Sequence, residues 1–219
     1  MEKQERFYFD VWIALLSTLA GMVNVVTLLL FFMPTTHFTG NITQFVLSFN
    51  EEEWGTMLHL LGMILCFSGG VVLSGFLFSK KKFEPTKRYG VLLMMFGSMM
   101  LLLFLFGLRD EKWLYFFSFV VGTQNGMFIY YHGIIVRTSH FTGYLTDIGV
   151  VLGRLMRGQI KDRWKVLFYF TSMLFFGIGV TVSYQLFQSF GAATIIAVGI
   201  GYILVGLYYF SFRKAFFHK

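Results

Sequence analysis

Residues 11–33 read VWIALLSTLAGMVNVVTLLLFFM, a run without one charged side chain. About 20 mostly apolar residues suffice for a helix to cross a hydrocarbon core of about 30 Å, so this stretch is long enough to span. It begins after a mixed-charge segment, Glu2 to Asp10, and no small-residue cleavage pattern follows it, so it reads as a retained span and not a signal peptide. Five further stretches of the same character lie at roughly 56–79, 89–108, 113–136, 166–187 and 191–211. Composition agrees: 56% of residues are hydrophobic, 13% are charged, and the mean hydropathy is +0.67. A soluble domain needs far more surface charge. Hydrocarbon supplies no partner for a backbone N–H or C=O, and the chain lacks the apolar–polar alternation of a membrane barrel, so helices are the expected solution. The expected fold class is therefore all-α: a polytopic membrane protein, one membrane domain over residues 1–219, with the lipid bilayer as its first partner.

The basic residues orient the bundle. With the N-terminus in the cytoplasm, sixteen of the eighteen Lys and Arg fall on cytoplasmic segments, and only Arg109 and Lys112 lie outside. The loop before the second span carries Glu51, Glu52 and Glu53 and no basic residue. Such a bias places both termini in the cytoplasm. The net charge of +7 then meets anionic lipid and calls for no nucleic-acid partner. Trp12 and Trp164 fall at inner boundaries and Trp54 and Trp113 at outer ones, as in an aromatic belt. The single cysteine, Cys66, lies inside the second span; it excludes an intramolecular disulfide and a cysteine-based metal cluster. No metal and no cofactor are expected.

The most specific feature is an internal repeat. His37-Phe38-Thr39-Gly40-Asn41-Ile42-Thr43 returns as His140-Phe141-Thr142-Gly143-Tyr144-Leu145-Thr146. A Gly-x-x-Asn stands upstream of each copy, Gly21 with Asn24 and Gly122 with Asn125; downstream, Gly70-Val71 with Ser74 is echoed by Gly179-Val180 with Ser183. Two halves of three spans each follow, residues 10–108 and 112–211. An odd number of spans per half makes the second enter the membrane from the opposite side, which is inverted topology.

Pro34 ends the first span, and Thr39 or Asn41 is placed to cap a new helix whose apolar run, Ile42 to Phe49, is too short to cross. The second copy repeats the break before Leu145 to Leu152. Broken or half helices are thus expected at both His-Phe-Thr-Gly motifs, each aiming a positive dipole end at what precedes it. The expected solute-binding set is His37, Thr39, Gly40, Asn41, Thr43 and Asn24 in the first half, and His140, Thr142, Gly143, Thr146, Asn125 and Gln124 in the second. Asp147 is the candidate for proton coupling. Helix packing and capping account for the same residues without any solute. For the Gly69-Gly70 to Ser74-Gly75 spacing, helix packing is the reading adopted. Thr39, Asn41, Thr142 and Thr146 are expected to share one polar cavity between the halves.

Three classes of function fit such a chain. The leading one is a transporter moving a small polar or anionic solute, or an ion, by alternating access between the repeats. A structural or sensory membrane protein is the second, and a second copy of the chain is among the partners such a bundle allows. An intramembrane enzyme is the weakest, since no HExxH, GxSxG or paired carboxylates appear, and the chain is expected not to be an enzyme.

At Gly21-x-x-Asn24 with His37-Phe38-Thr39-Gly40-Asn41, and Gly122-x-Gln124-Asn125 with Thr142-Gly143-x-Leu145-Thr146, the chain resembles the YoaK family of bacterial membrane proteins, also called DUF1275. The resemblance runs from about residue 10 to about 210. It implies about six spans in a bacterial cytoplasmic membrane and leaves the biochemical activity open. One departure is Asn24, where the family usually carries an Asp; a proton role of that acid would not carry over.

Overall fold

The computed structural model describes residues 3–78, 83–107, 110, 112–127, 134–159 and 162–217. Every regular element among them is helical: α1 (Lys3–Phe31), α2 (Phe38–Asn50), α3 (Trp54–Leu77), α4 (Lys87–Leu105), α5 (Lys112–Gly126), α6 (Phe141–Met156), α7 (Arg163–Phe190) and α8 (Thr194–Phe217). A short 3-10 turn over Gly191–Ala193 joins the last two. Gly191 sits at φ 54°, a left-handed conformation that a side chain resists, and so it terminates α7. At the end of α1, Phe32 takes up the left-handed region with φ 58°, and Pro34 follows where the helix can no longer continue.

Among the described residues, four apolar helical stretches are long enough to cross a membrane: Arg6–Phe31, Trp54–Leu77, Lys87–Leu105, and Arg163–Ser211, the last of which holds α7 and most of α8. Their outward faces are apolar: Val72 is 71% exposed, Phe76 81% and Leu105 77%. Contiguous apolar surface of this kind suits lipid. The core is built around α1, whose Trp12, Leu16, Val23 and Val26 are fully buried.

The fourth expected span, 113–136, differs. The described part of α5 has only 15 residues and ends at Gly126. From Ile134 to Ser139 the chain is not helical and has folded back on α5; residues 128–133 lie outside the described set. The polar run Thr138-Ser139 before the second motif supplies hydrogen bonds that a continued helix would have forgone.

Three helix pairs dominate the packing: α1 on α7, α3 on α5 and α4 on α8. Their directions follow from which residues meet. Thr18 lies against Gly179 and Met22 against Ser183, so α1 and α7 run parallel. Tyr115 lies against Gly62 and Thr123 against Ser74, so α3 and α5 run parallel. Gly97 opposes Gly199 while Gly90 opposes Gly206, so α4 and α8 run antiparallel. At each of these crossings glycine lets one backbone reach another, the small-residue packing of membrane helices.

One end of the bundle gathers the starts of α1, α4 and α7 with the ends of α3 and α8. Arg6 stacks 5.2 Å over Trp164; Tyr209 Oη donates to the Thr86 carbonyl at 2.8 Å; Arg88 Nη1 donates to the Leu77 carbonyl at 2.8 Å; and Arg213 Nε donates to the Pro85 carbonyl at 2.9 Å. This end is rich in basic side chains. Glu51, Glu52 and Glu53 precede α3 and so lie at the other end.

Candidate functional site

Each motif opens a half-length helix. The N-cap positions are His37 and His140, neither of which caps with its side chain. This corrects the expectation that Thr39 or Asn41 caps α2: both lie within its first turn. The ring of each histidine instead folds over the glycine three residues on. A Cβ on Gly40 would run into His37 Cδ2 and Nε2, and one on Gly143 would lie 2.7 Å from His140 Cδ2.

Both helices start beside the middle of a long one. Phe38 packs on Phe67 of α3 with ring centroids 4.0 Å apart, and Phe141 packs on Phe176 of α7 at 4.5 Å. From there α2 runs back along α3, so that Phe49 meets Trp54 at the α3 start. The carbonyls of the same two residues meet the other elements of the repeat: that of Phe67 faces Gly122 and that of Phe176 faces Gly21. The glycines of the two Gly-x-x-Asn elements therefore press on the residues that receive the motif phenylalanines.

The asparagines tie down the fold-back. Asn24 Oδ1 accepts from Thr36 Oγ1 at 2.7 Å; Asn125 Nδ2 donates to Ser139 Oγ at 2.7 Å, and the Ser139 N–H donates to Asn125 Oδ1 at 3.3 Å. Thr27 and Thr35 hydroxyls meet at 3.3 Å. Asn41 is buried and donates to the Pro34 carbonyl at 3.3 Å; Tyr144, in the same motif position, is buried and its hydroxyl accepts from the Arg137 N–H at 2.8 Å. Thr43 and Thr146 are exposed and donate back to the carbonyls of Thr39 and Thr142, at 3.1 and 3.0 Å. Thr39 and Thr142 are themselves exposed.

Gln124 breaks the likeness, since Val23 precedes Asn24 in the first half. Gln124 is buried, and its Nε2 donates to the Leu16 carbonyl at 2.9 Å and to Thr138 Oγ1 at 2.7 Å, while its Oε1 accepts from Tyr202 Oη at 2.7 Å. It joins α1, α5, α8 and the fold-back in one satisfied network.

An open cavity of about 520 Å³ lies at the second motif. Arg137, His140, Asp147, Arg154, Lys165 and Tyr169 supply its polar lining, with Gly143 and Thr146. Lys165 Nζ lies 2.9 Å from Asp162 Oδ1, and Arg154 Nη1 lies 3.9 Å from Asp162 Oδ2. Burial, and then the Arg137 guanidinium, hold the His140 imidazole below its ordinary pKa, against an upward pull from Asp147.

A family model described as "Protein of unknown function (DUF1275)" matches residues 12–208. The chain belongs to the DUF1275 family. No curated protein and no solved structure matches it.

In this DUF1275 protein the cavity contains no residue of the first motif. Of Thr39, Asn41, Thr142 and Thr146, expected to share one cavity, Thr146 alone lines this one, and Asn41 is turned inward to hold the Pro34 carbonyl. Sequence reasoning missed Thr36, Thr138, Ser139, Arg137, Lys165 and Tyr202. A signal existed for some of them: the repeat begins two residues earlier, as Thr35-Thr36 and Thr138-Ser139. Gly90 and Gly97 likewise reappear at the same spacing as Gly199 and Gly206. Tyr202 carried no sequence signal, since its partner lies 78 residues away.

Proposed function

We propose that this protein is a carrier in the bacterial cytoplasmic membrane, moving a small polar or anionic solute by alternating access between two inverted halves, residues 10–108 and 112–211. The observation that carries the reading is one device present twice: a broken helix, a fold-back held by the Gly-x-x-Asn asparagine, and a half-helix starting beside the middle of a span-length helix. Unpaired backbone in hydrocarbon costs several kcal/mol per group, so such breaks persist where they serve a cavity. Discontinuous helices in matching positions of two halves mark the solute site in inverted-repeat carriers. The helix directions support the same reading: α1 parallel to α7, α3 parallel to α5 and α4 antiparallel to α8 is what six alternating crossings produce. The basic end, with both termini, faces the cytoplasm, and Glu51 to Glu53 face outward.

Uptake of labelled sulfate, phosphate, succinate and neutral amino acids into liposomes holding the purified protein tests the reading. Saturable uptake of at least one solute is expected, with loss in Gly40→Leu and Gly143→Leu, whose added side chains collide with the His37 and His140 rings. Flux equal to protein-free liposomes for every solute rejects the carrier and leaves a structural or sensory role. Orientation is tested separately, with cysteines placed singly at positions 52 and 214 in a Cys66→Ala background. An impermeant reagent should label position 52 and spare 214 in intact cells; the reverse pattern overturns the assignment.

A further inference from the structure

We infer that the cavity at the second motif is an oxyanion site, taking a phosphate, sulfate or carboxylate group, and that the first half has no counterpart to it. Its meaning for transport rests on the carrier reading; its binding chemistry does not.

A volume of about 520 Å³ suits a small molecule. Three cations reach it, Arg137, Arg154 and Lys165, against Asp147 in the lining and Asp162 behind it. Asp162 is already engaged, shared between Lys165 and Arg154, which leaves Asp147 as the one carboxylate in the lining. The Arg137 guanidinium has no ion pair or side-chain hydrogen bond among the described residues. A planar fork of N–H donors left open beside two more cations matches the oxygens of a carboxylate or phosphate.

The fold does not require these charges. At the same places relative to the motif, the first half has Pro34 for Arg137, Gln44 for Asp147 and Glu51 for Arg154. It nevertheless builds the same fold-back and the same half-helix. The charges of the second half are therefore additions to a scaffold that stands without them, which points to a ligand. The side also matters: the lining reaches Lys165 near the start of α7, one residue from the Trp164 ring under Arg6 in the basic end of the bundle. The oxyanion there comes from either of two sources, a soluble solute or the headgroup of an anionic lipid.

The test uses the full chain in nanodiscs, with thermal unfolding followed against sulfate, inorganic phosphate and succinate, each matched in ionic strength with chloride. A ligand that binds only the folded chain raises the melting temperature by mass action. In phosphatidylcholine discs at least one oxyanion should stabilise the protein beyond chloride. Arg137→Gln and Arg154→Gln, both at exposed positions, should each weaken the apparent affinity by about tenfold or more, whereas Lys214→Gln should not change it. The same titration in phosphatidylglycerol discs separates the sources. An unchanged response assigns the site to a solute; a higher melting temperature that depends on Arg137, with no further response to oxyanions, assigns it to the lipid headgroup. The inference is overturned by a response no larger than that to chloride in both kinds of disc, or by equal responses in wild type and both arginine variants. Transport without any oxyanion response removes the site and keeps the carrier; binding without transport does the opposite.

Discussion

The carboxamide of Asn24 accepts a 2.7 Å hydrogen bond from the hydroxyl of Thr36, twelve residues further along, and so pulls the chain back beside the helix it has just left. Asn125 does the same for Ser139, with two hydrogen bonds in place of one. Between membrane helices such bonds contribute on average about 0.6 kcal/mol and up to about 1.7 kcal/mol each. Asn125→Ala should therefore destabilise more than Asn24→Ala in thermal unfolding in detergent. Equal melting temperatures for the two variants would show that the fold-back is held by something else.

The glycines divide into two groups that the sequence presents alike. A Cβ at Gly21, Gly70, Gly122 or Gly179 would run into a carbonyl of the neighbouring helix, whereas Gly69, Gly75 and Gly177 have nothing within 4 Å. Alanine at any of the first four should cost about 2 kcal/mol or more, because backbone must move. Alanine at the other three should be neutral or stabilise by up to about 1 kcal/mol through helix propensity. Comparing Gly70→Ala with the adjacent Gly69→Ala by detergent unfolding is the sharpest pair, and similar stabilities would contradict the packing.

Gln124 and Tyr202 should behave as a coupled pair. Tyr202→Phe leaves Gln124 Oε1 buried without its partner, a cost of about 1–3 kcal/mol. Gln124→Val copies the residue at position 23 of the first half and strands the Tyr202 hydroxyl instead. The double variant replaces both polar partners by apolar groups and should recover part of the loss, which a double-mutant cycle measures. Strict additivity would mean that the 2.7 Å contact contributes nothing.

Much of the helical architecture could be read from unbroken apolar runs, since hydrocarbon forces each run to satisfy its own backbone. The motif boundary was legible too: Pro34 and the repeated His-Phe-Thr-Gly announce both breaks. What stayed hidden depends on contacts distant in sequence. The end of α5 at Gly126 reflects a trade between continuing an apolar helix and bonding Thr138 and Ser139 to Gln124 and Asn125, and hydropathy has no term for it. Asn41 looked like a cap or a ligand, because burial against Pro34 cannot be told from a string. In the sequence Arg137, Arg154 and Lys165 stand apart as basic residues of cytoplasmic segments, and only the packing of α6 on α7 brings them around one cavity.

The acid response of that cavity should come from His140. Burial and the nearby Arg137 lower its pKa, and Asp147 offsets them only in part, so the ring is neutral at pH 7.5. The sign follows: a group with a lowered pKa gains its proton only below the ordinary histidine value of about 6.5, and it then adds a fourth cation to the cavity. Sulfate is the suitable probe, because it keeps both charges in this range while phosphate does not. Between pH 7.5 and about pH 5 the sulfate affinity of the wild-type protein should rise. His140→Gln should bind as well as wild type at pH 7.5 and show no rise on acidification. His37→Gln should follow the wild-type curve, since His37 does not line the cavity. A wild-type affinity that stays flat over this interval would place the His140 ring out of reach of the bound ion.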